Sequence, residues 1–199
     1  GFSLAAYDDD RAVDTYDPRF VVAGSALTEK QPKLLDLMRE IMLQSRYDEK
    51  RRLKEIIQEL ISGIQMSLME SGHSVAMGRL ASYYSQSGKF HDITGGYGYY
   101  QFLKAIAADF DNRWEDVFAN LRKVAERVFR RPGLMVSHTA GENDLGRFPE
   151  QFRGAADALP GRTLETYAWE WPLENLNEGL YTPSKVQYVA QGANFRKLG

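Results

Sequence analysis

The chain contains no cysteine and only three histidines among its 199 residues. Without cysteine there is no disulfide framework, no thiolate metal site and no thiol nucleophile, a composition that is compatible with a reducing compartment. His73, His91 and His138 lie in three separate segments, and no two of them have the short helical or hairpin spacing of zinc ligands. The sequence therefore predicts no metal ligand and no catalytic residue within this chain.

The sequence also lacks a strong charge of either sign and a long apolar run. Its 25 basic and 27 acidic residues leave a formal net charge of −2, which gives no reason to expect nucleic acid or an anionic membrane as a partner. No apolar stretch approaches the roughly 18–20 residues of a membrane span, and no signal peptide is recognisable. Because the chain begins at Gly1 rather than at methionine, in what reads as a strand, we expect a piece of a longer protein.

Common catalytic motifs are absent as well. The sequence contains no H-x-x-E-H, H-E-x-x-H or G-x-S-x-G. The run Gly95-Gly96-Tyr97-Gly98 lacks the Lys-Ser/Thr pair of a phosphate-binding loop, and it predicts a turn. Glu70 and His73 have the i, i+3 spacing of a di-iron ligand pair, but that chemistry needs a second such pair. We therefore interpret His73 as a partly buried histidine at a helix end.

What the sequence does contain is a long helical pattern from Asp48 to Ser85. Its apolar residues recur at i, i+3, i+4 and i+7, on one face of an α-helix. They are Leu53, Ile56, Ile57, Leu60, Ile61, Ile64 and Leu68. One helix of these 38 residues would be about 57 Å long, too long for a compact chain of this size. We predict a break at Ser71-Gly72, because glycine is a poor helix former and a frequent cap.

After the break, small residues predict a closely packed helix face at Gly78, Ala81 and Ser82. The other predicted elements follow from periodicity and from turn and cap residues. In chain order they are strands over Phe2–Tyr7 and Phe20–Leu27, a helix from a Thr28–Gln31 capping box to Gln44, a turn-rich loop over 85–98, an aromatic helix from Tyr100 to Phe110, a helix from Asn112 to Pro132, a strand over Leu134–Thr139, a short helix over Pro149–Leu159, an irregular stretch over Pro160–Pro183 and a strand over 185–195. This order predicts a helix-rich α+β fold, with an antiparallel sheet and helices packed on one of its faces.

Three runs of the sequence, taken in order, resemble a known family. They are GFSLAAYDDD…TYDPRFVVAGSALTEKQPKLLDLMREIM, RLKEIIQELISGIQMSLMESGHSVAMGRLASYYS and GYGYYQFLKAI. They are similar to the third domain of presequence-protease-like members (subfamily C) of the M16 (pitrilysin/insulinase) zinc metallopeptidases, and the pattern S-G-H-x-x-A-x-x-R followed by G-x-x-x-x-x-F-L is specific in combination. The resemblance implies a truncated M16 half-domain over 1–145 that lacks its first strands, a linker with a short helix over 146–182 and the opening strand of a fourth domain over 183–199.

The resemblance implies a parent enzyme made of two similar halves that close over short unstructured peptides. Zinc is then a cofactor of the parent, bound in the first half, where the resemblance implies an H-x-x-E-H helix that supplies two zinc ligands and the general base. No zinc is expected in this fragment of the second half. The implied partners are the catalytic amino-terminal half of the same chain and peptide substrates, and the implied location is intracellular, in the bacterial cytoplasm or an organelle matrix. The family's substrate-contacting Arg and Tyr follow a pattern like S-Y-R-D-P in the fourth domain. Here Asp8 stands in place of that arginine, between Tyr7 and Tyr16, so the role does not transfer.

For a substrate-chamber surface the sequence offers five residues around the predicted helix break. Ser71, Gly72 and His73 supply polar and backbone groups, and Arg79 and Tyr83 follow at four-residue spacing on one helix face. The alternative is structural, with Arg79 paired to a carboxylate such as Glu70 and Tyr83 in the core.

Three functions remain open at this point. The first is a non-catalytic domain of a zinc metalloendopeptidase that shapes the substrate chamber. The second is a catalytically inactive scaffold or interaction subunit of the same family, and the third is an unrelated helical binding module.

Overall fold

The structure is a computed structural model that describes residues 1–8, 12, 14–163, 165, 167, 169–183 and 185–195. Its described residues are helix-rich and include an antiparallel pair of strands, which confirms the predicted α+β class. The elements are β1 (Phe2–Asp8), β2 (Tyr16–Val22), a 3₁₀ turn (Thr28–Lys30), α1 (Gln31–Gln44), α2 (Lys50–Glu70), α3 (Gly72–Tyr84), α4 (Gln86–Gly95), α5 (Tyr97–Ala108), α6 (Phe110–Val128), α7 (Glu142–Leu145) and α8 (Phe148–Asp157). Among the described residues, no helix is both long and apolar enough to cross a membrane.

The chain divides into two compact units. The first unit comprises Gly1–Ser3, Phe20–Glu49 and Trp114–Tyr167, and within it α8 packs against α1 and α7. The second unit comprises Leu4–Arg19, Lys50–Arg113 and Ala168–Gly199. In the second unit α3 packs on α4, α4 on α5, and α2 on both α3 and α5. Its buried apolar side chains are Ile57, Tyr83, Phe90, Tyr100, Leu103, Ile106 and Phe110.

The predicted break in the long helix is confirmed, since α2 ends at Glu70 and α3 begins at Gly72. The apolar stripe of α2 is only partly covered, with Ile57 buried and Leu60 41% exposed. The predicted close-packed face of α3 is right for Ser82, which is 1% exposed. It is wrong for Gly78, because a β-carbon there would meet nothing within 4 Å.

Helix α4 was predicted as a loop, and that prediction is wrong. Ser85 lies at the N-cap of α4, and its hydroxyl accepts a hydrogen bond from the Gly88 backbone N–H at 3.0 Å. Gly88 is needed because a β-carbon there would lie 2.4 Å from the Ala81 carbonyl oxygen. The glycine that favoured a loop in the sequence is thus the residue that lets α3 and α4 approach each other.

Three further predictions about local structure are corrected. The capping box at Thr28 does not form, since its hydroxyl donates instead to an Asp144 carboxylate oxygen at 3.1 Å. The second strand starts earlier than predicted and includes Pro18, which an edge strand tolerates. Residues 134–139 form no strand, because the described residues offer them no paired neighbour.

The end of the chain has little regular structure. The stretch from Pro160 to Pro183 was predicted to be irregular, and its described residues contain no helix or strand. Residues 185–195, which were predicted to be a strand, also form none. Of the fourth-domain segment predicted over 183–199, residues 184 and 196–199 lie outside the described part of the chain. The division into a third domain, a linker and a fourth-domain strand stays a prediction.

Candidate functional site

Arg79 of α3 lies at the centre of a charged cluster in the second unit. Its side chain is 15% exposed, and its guanidinium lies near the rings of Tyr83 and Tyr97, at 5.4 and 5.6 Å from the ring centres. Tyr83 follows Arg79 by four residues and therefore shares its helix face. Because five N–H groups radiate in one plane from the guanidinium, this residue can serve two carboxylates at once.

The first carboxylate belongs to Asp92 of α4. Its side chain is 1% exposed and accepts a hydrogen bond from Arg79 Nη1 at 2.7 Å. Its other oxygen accepts from the Gly98 backbone N–H at 3.1 Å, at the start of α5. Gly98 leaves room for this contact, since a β-carbon would lie 2.6 Å from Asp92 Oδ2. The buried charge is therefore neutralised by an arginine and by a helix amino terminus.

The second carboxylate is Glu178, which lies in the irregular segment after α8. We call its described residues 169–183 the strap. Arg79 Nε and Nη2 donate to the two oxygens of Glu178 at 2.7 and 2.9 Å, a bidentate pair. The Tyr83 hydroxyl donates to Glu178 as well. Glu178 is 30% exposed, so this half of the cluster remains accessible to solvent.

These contacts shift the ionisation of all three groups. The hydrogen bonds from Arg79 lower the pKa of Glu178 from 4.5 to about 2, against an opposing contribution from burial. The hydrogen bond to Glu178 raises the pKa of Arg79 above its ordinary value. Burial, followed by the hydrogen bond to Glu178, raises the pKa of Tyr83. At neutral pH the cluster is therefore a doubly paired arginine beside a protonated tyrosine.

A second set of contacts fixes the strap to the start of α4. The Gln86 side-chain amide donates to the Trp171 carbonyl oxygen at 2.9 Å and accepts from the Trp171 backbone N–H at 2.7 Å. The Tyr84 hydroxyl donates to the Asn175 side-chain oxygen at 3.0 Å. A strap with no helix or strand of its own is thus held by side chains of α3 and α4.

The sequence-predicted residues fall into two groups on α3. Ser71, Gly72 and His73 lie at its amino end, where the ring of Tyr188 packs against Gly72 and lies 5.5 Å from the ring of His73. Arg79 and Tyr83 lie about two turns further along the same helix. Their role in a substrate chamber remains a prediction. Arg79 does pair with carboxylates, although its partners are Asp92 and Glu178 rather than Glu70.

Sequence reasoning missed Asp92, Glu178 and Gln86. Asp92 and Gln86 were assigned to a loop, and Glu178 was assigned to an irregular linker. The available signal was Ser85, an N-cap residue, ahead of a segment that ends at the helix-terminating Gly95-Gly96 pair. For Glu178 no local signal exists, because its partner on α3 is 99 residues away.

The residues that the structure describes do not fit a zinc site. Within the described ranges, no group of three or more His, Asp or Glu side chains is placed to hold a metal ion. The carboxylates of Asp92 and Glu178 converge on Arg79, so a guanidinium already compensates both charges.

Comparison with known proteins places the chain in a family. A family model described as peptidase M16 (subfamily C) associated matches residues 1–106. Protein HypA of Clostridium perfringens is 27% identical over 198 residues, which cover 100% of this chain and 20% of that protein. Presequence protease 1, chloroplastic/mitochondrial, of Arabidopsis thaliana is 23% identical over 95% of this chain and 18% of its own length. The mitochondrial presequence protease of Yarrowia lipolytica is 28% identical over 94% of this chain and 18% of its own length.

The chain therefore spans about a fifth of the length of the curated relatives it matches. The match to the family model covers more than half of the 199 residues, and it confirms the resemblance found in the sequence. This protein belongs to the family of domains associated with the subfamily C peptidases of M16.

Proposed function

We propose that the chain is a non-catalytic part of a zinc metalloendopeptidase and that it forms part of the chamber in which the parent enzyme holds short unstructured peptides. The observation that carries this proposal is the pattern of the matches. Two relatives named as presequence proteases align with 95% and 94% of this chain, yet the chain spans only 18% of either relative. A segment of this kind can support a peptidase without containing its reacting groups.

The proposal assigns the chemistry to another part of the parent. The described residues provide no metal-holding cluster, so the zinc and the general base belong to the amino-terminal half of the same longer chain. That half and the peptide substrate are the partners, with no role for nucleic acid or membrane. The location is intracellular, in the bacterial cytoplasm or an organelle matrix.

Within the proposed chamber, the amino end of α3 is the part best placed to meet peptide. Ser71 and Gly72 are half-buried, whereas His73 is exposed. The neighbouring Tyr188 is 49% exposed and adds aromatic surface with a polar tip. A chamber that accepts many sequences needs such mixed surface rather than one strong contact.

Replacing His73 by alanine in the full-length parent tests this assignment. Because the contact is remote from the zinc and equal in ground and transition states, KM for a fluorogenic peptide should rise while kcat stays unchanged. His91→Ala is the matched control, since His91 is also exposed. If both variants keep the parent's KM, the amino end of α3 does not contact substrate.

The same cleavage assay distinguishes an active peptidase from the remaining alternative, an inactive scaffold subunit of the family. A parent with an intact H-x-x-E-H should cleave the peptide, and chelation should abolish cleavage. A parent with a degenerate motif and no cleavage would support the scaffold instead. Family membership removes the third hypothesis, an unrelated helical module.

A further inference from the structure

The strap lies on α3 and α4 in the way that a bound peptide would. The Gln86 side chain donates one hydrogen bond to the Trp171 carbonyl oxygen and accepts another from the Trp171 backbone N–H, so neither bond depends on the side chain at position 171. This amide reproduces the donor and acceptor pair that a neighbouring β-strand would offer to an extended peptide. Any extended peptide could make the same two bonds.

The other end of the strap is held by a site that recognises a carboxylate. Two N–H groups of Arg79 and the hydroxyl of Tyr83 all donate to the oxygens of Glu178. The geometry does not depend on Glu178, because Asp92 holds the far side of the guanidinium at 2.7 Å and is itself buried. The three donors are thus oriented by α3 and α4 before a carboxylate arrives.

We propose that this α3–α4 surface is a binding site for extended peptides that bear a carboxylate, and that the strap occupies it in cis. The inference rests on the proposed function, in that it names a peptide site within the chamber and the chemistry of its ligand. The carboxylate can come from an Asp or Glu side chain or from the carboxyl terminus of the peptide. Either source presents the same two oxygens to Arg79 and Tyr83.

Occupation in cis has a quantitative consequence. A tethered ligand acts at an effective concentration on the order of millimolar, so a free peptide competes poorly with the strap. Removing the Glu178 carboxylate should vacate the carboxylate end of the site and raise the affinity for free peptide at least tenfold. The same change at Glu174, which lies on the strap but makes none of the contacts with Arg79, should not.

The probe is a labelled peptide with the sequence of residues 169–179, WEWPLENLNEG, amidated at its carboxyl end. Fluorescence anisotropy measures its binding to the wild-type chain, to Glu178→Ala and to the control Glu174→Ala. A second peptide carries Gln at the position of Glu178, and a third ends with that Gln and a free terminal carboxylate. Tyr83→Phe in the Glu178→Ala chain removes one donor and keeps the aromatic ring.

We expect the Glu178→Ala chain to bind at least one of the two carboxylate-bearing peptides tenfold more tightly than the wild-type chain binds it. The same variant should bind that peptide tenfold more tightly than it binds the amidated Gln peptide. The form that binds identifies the source of the carboxylate, and Tyr83→Phe should reduce the difference. Equal binding of all three peptides, or an equal gain in Glu174→Ala, overturns the inference. These results are independent of peptide cleavage by the parent, so failure of the site and failure of the proposed function can be told apart.

Discussion

Replacing Arg79 by methionine should destabilise the second unit far more than removing an exposed surface charge from it does. Methionine keeps much of the side-chain volume but leaves Asp92, which is 1% exposed, without its cation. An uncompensated buried charge costs about 3–5 kcal/mol. Loss of the pair with Glu178 adds little, because a carboxylate that is 30% exposed regains water.

Urea unfolding followed by tryptophan fluorescence measures this cost, since Trp171 lies in the same unit. With an m-value of about 2 kcal/mol/M, the expected loss lowers the midpoint by roughly 2 M. Adding Asp92→Asn to the Arg79→Met variant removes the unpaired charge, so the double variant should be more stable than Arg79→Met alone. Arg51→Met is the control, because Arg51 is 94% exposed and pairs on the surface with Glu55. It should leave the midpoint unchanged.

The result that would refute this reasoning is equally specific. If Arg79→Met behaves like Arg51→Met, the buried Asp92 does not depend on Arg79 for its compensation. If Asp92→Asn fails to rescue Arg79→Met, the loss has another origin, such as packing of the arginine stem. Even when Arg79→Met does not fold, rescue by Asp92→Asn still decides the question.

Three further predictions concern the strap, the contact of α3 with α4, and metal content. The pKa of Glu178 is lowered from 4.5 to about 2, so its contribution to stability is present above pH 4.5 and is lost as the pH falls toward 2. Glu178→Gln should therefore lower the free energy of unfolding by roughly 1 kcal/mol at pH 7. Near pH 2, urea titrations should find no difference between this variant and the parent. Gly88→Ala should lower the urea midpoint, since its β-carbon would meet the Ala81 carbonyl oxygen at 2.4 Å. The β-carbon of Gly78→Ala would meet nothing within 4 Å, so that variant should gain about 0.5–1 kcal/mol of stability from helix propensity. Equal midpoints for the two variants would contradict the close contact of α3 and α4. Dialysed chain should retain much less than one zinc per molecule in mass-spectrometric metal analysis, and a stoichiometric, tightly bound zinc would contradict the absence of a fitting cluster among the described residues.

The sequence by itself determined those helices whose faces and ends are set by residues within one or two turns. The apolar periodicity of α2 and the glycine at the break specified two helices and their junction, because a 3.6-residue repeat and a poor helix former act within one or two turns. The family was also readable from the order of motifs. The prediction of a loop in place of α4 was wrong because a glycine can have two structural roles. Gly88 favours a loop by its low helix propensity, yet in the structure it allows α3 and α4 to approach each other closely.

Only the tertiary structure decided which groups share a site. Arg79 is one of 25 basic residues, and nothing in its neighbours along the chain distinguishes it. Its partners Asp92 and Glu178 lie 13 and 99 residues away, and no periodicity connects positions at such separations. Hydrogen bonds and ion pairs act over about 3 Å in space, so the cluster exists only after α3, α4 and the strap have packed together.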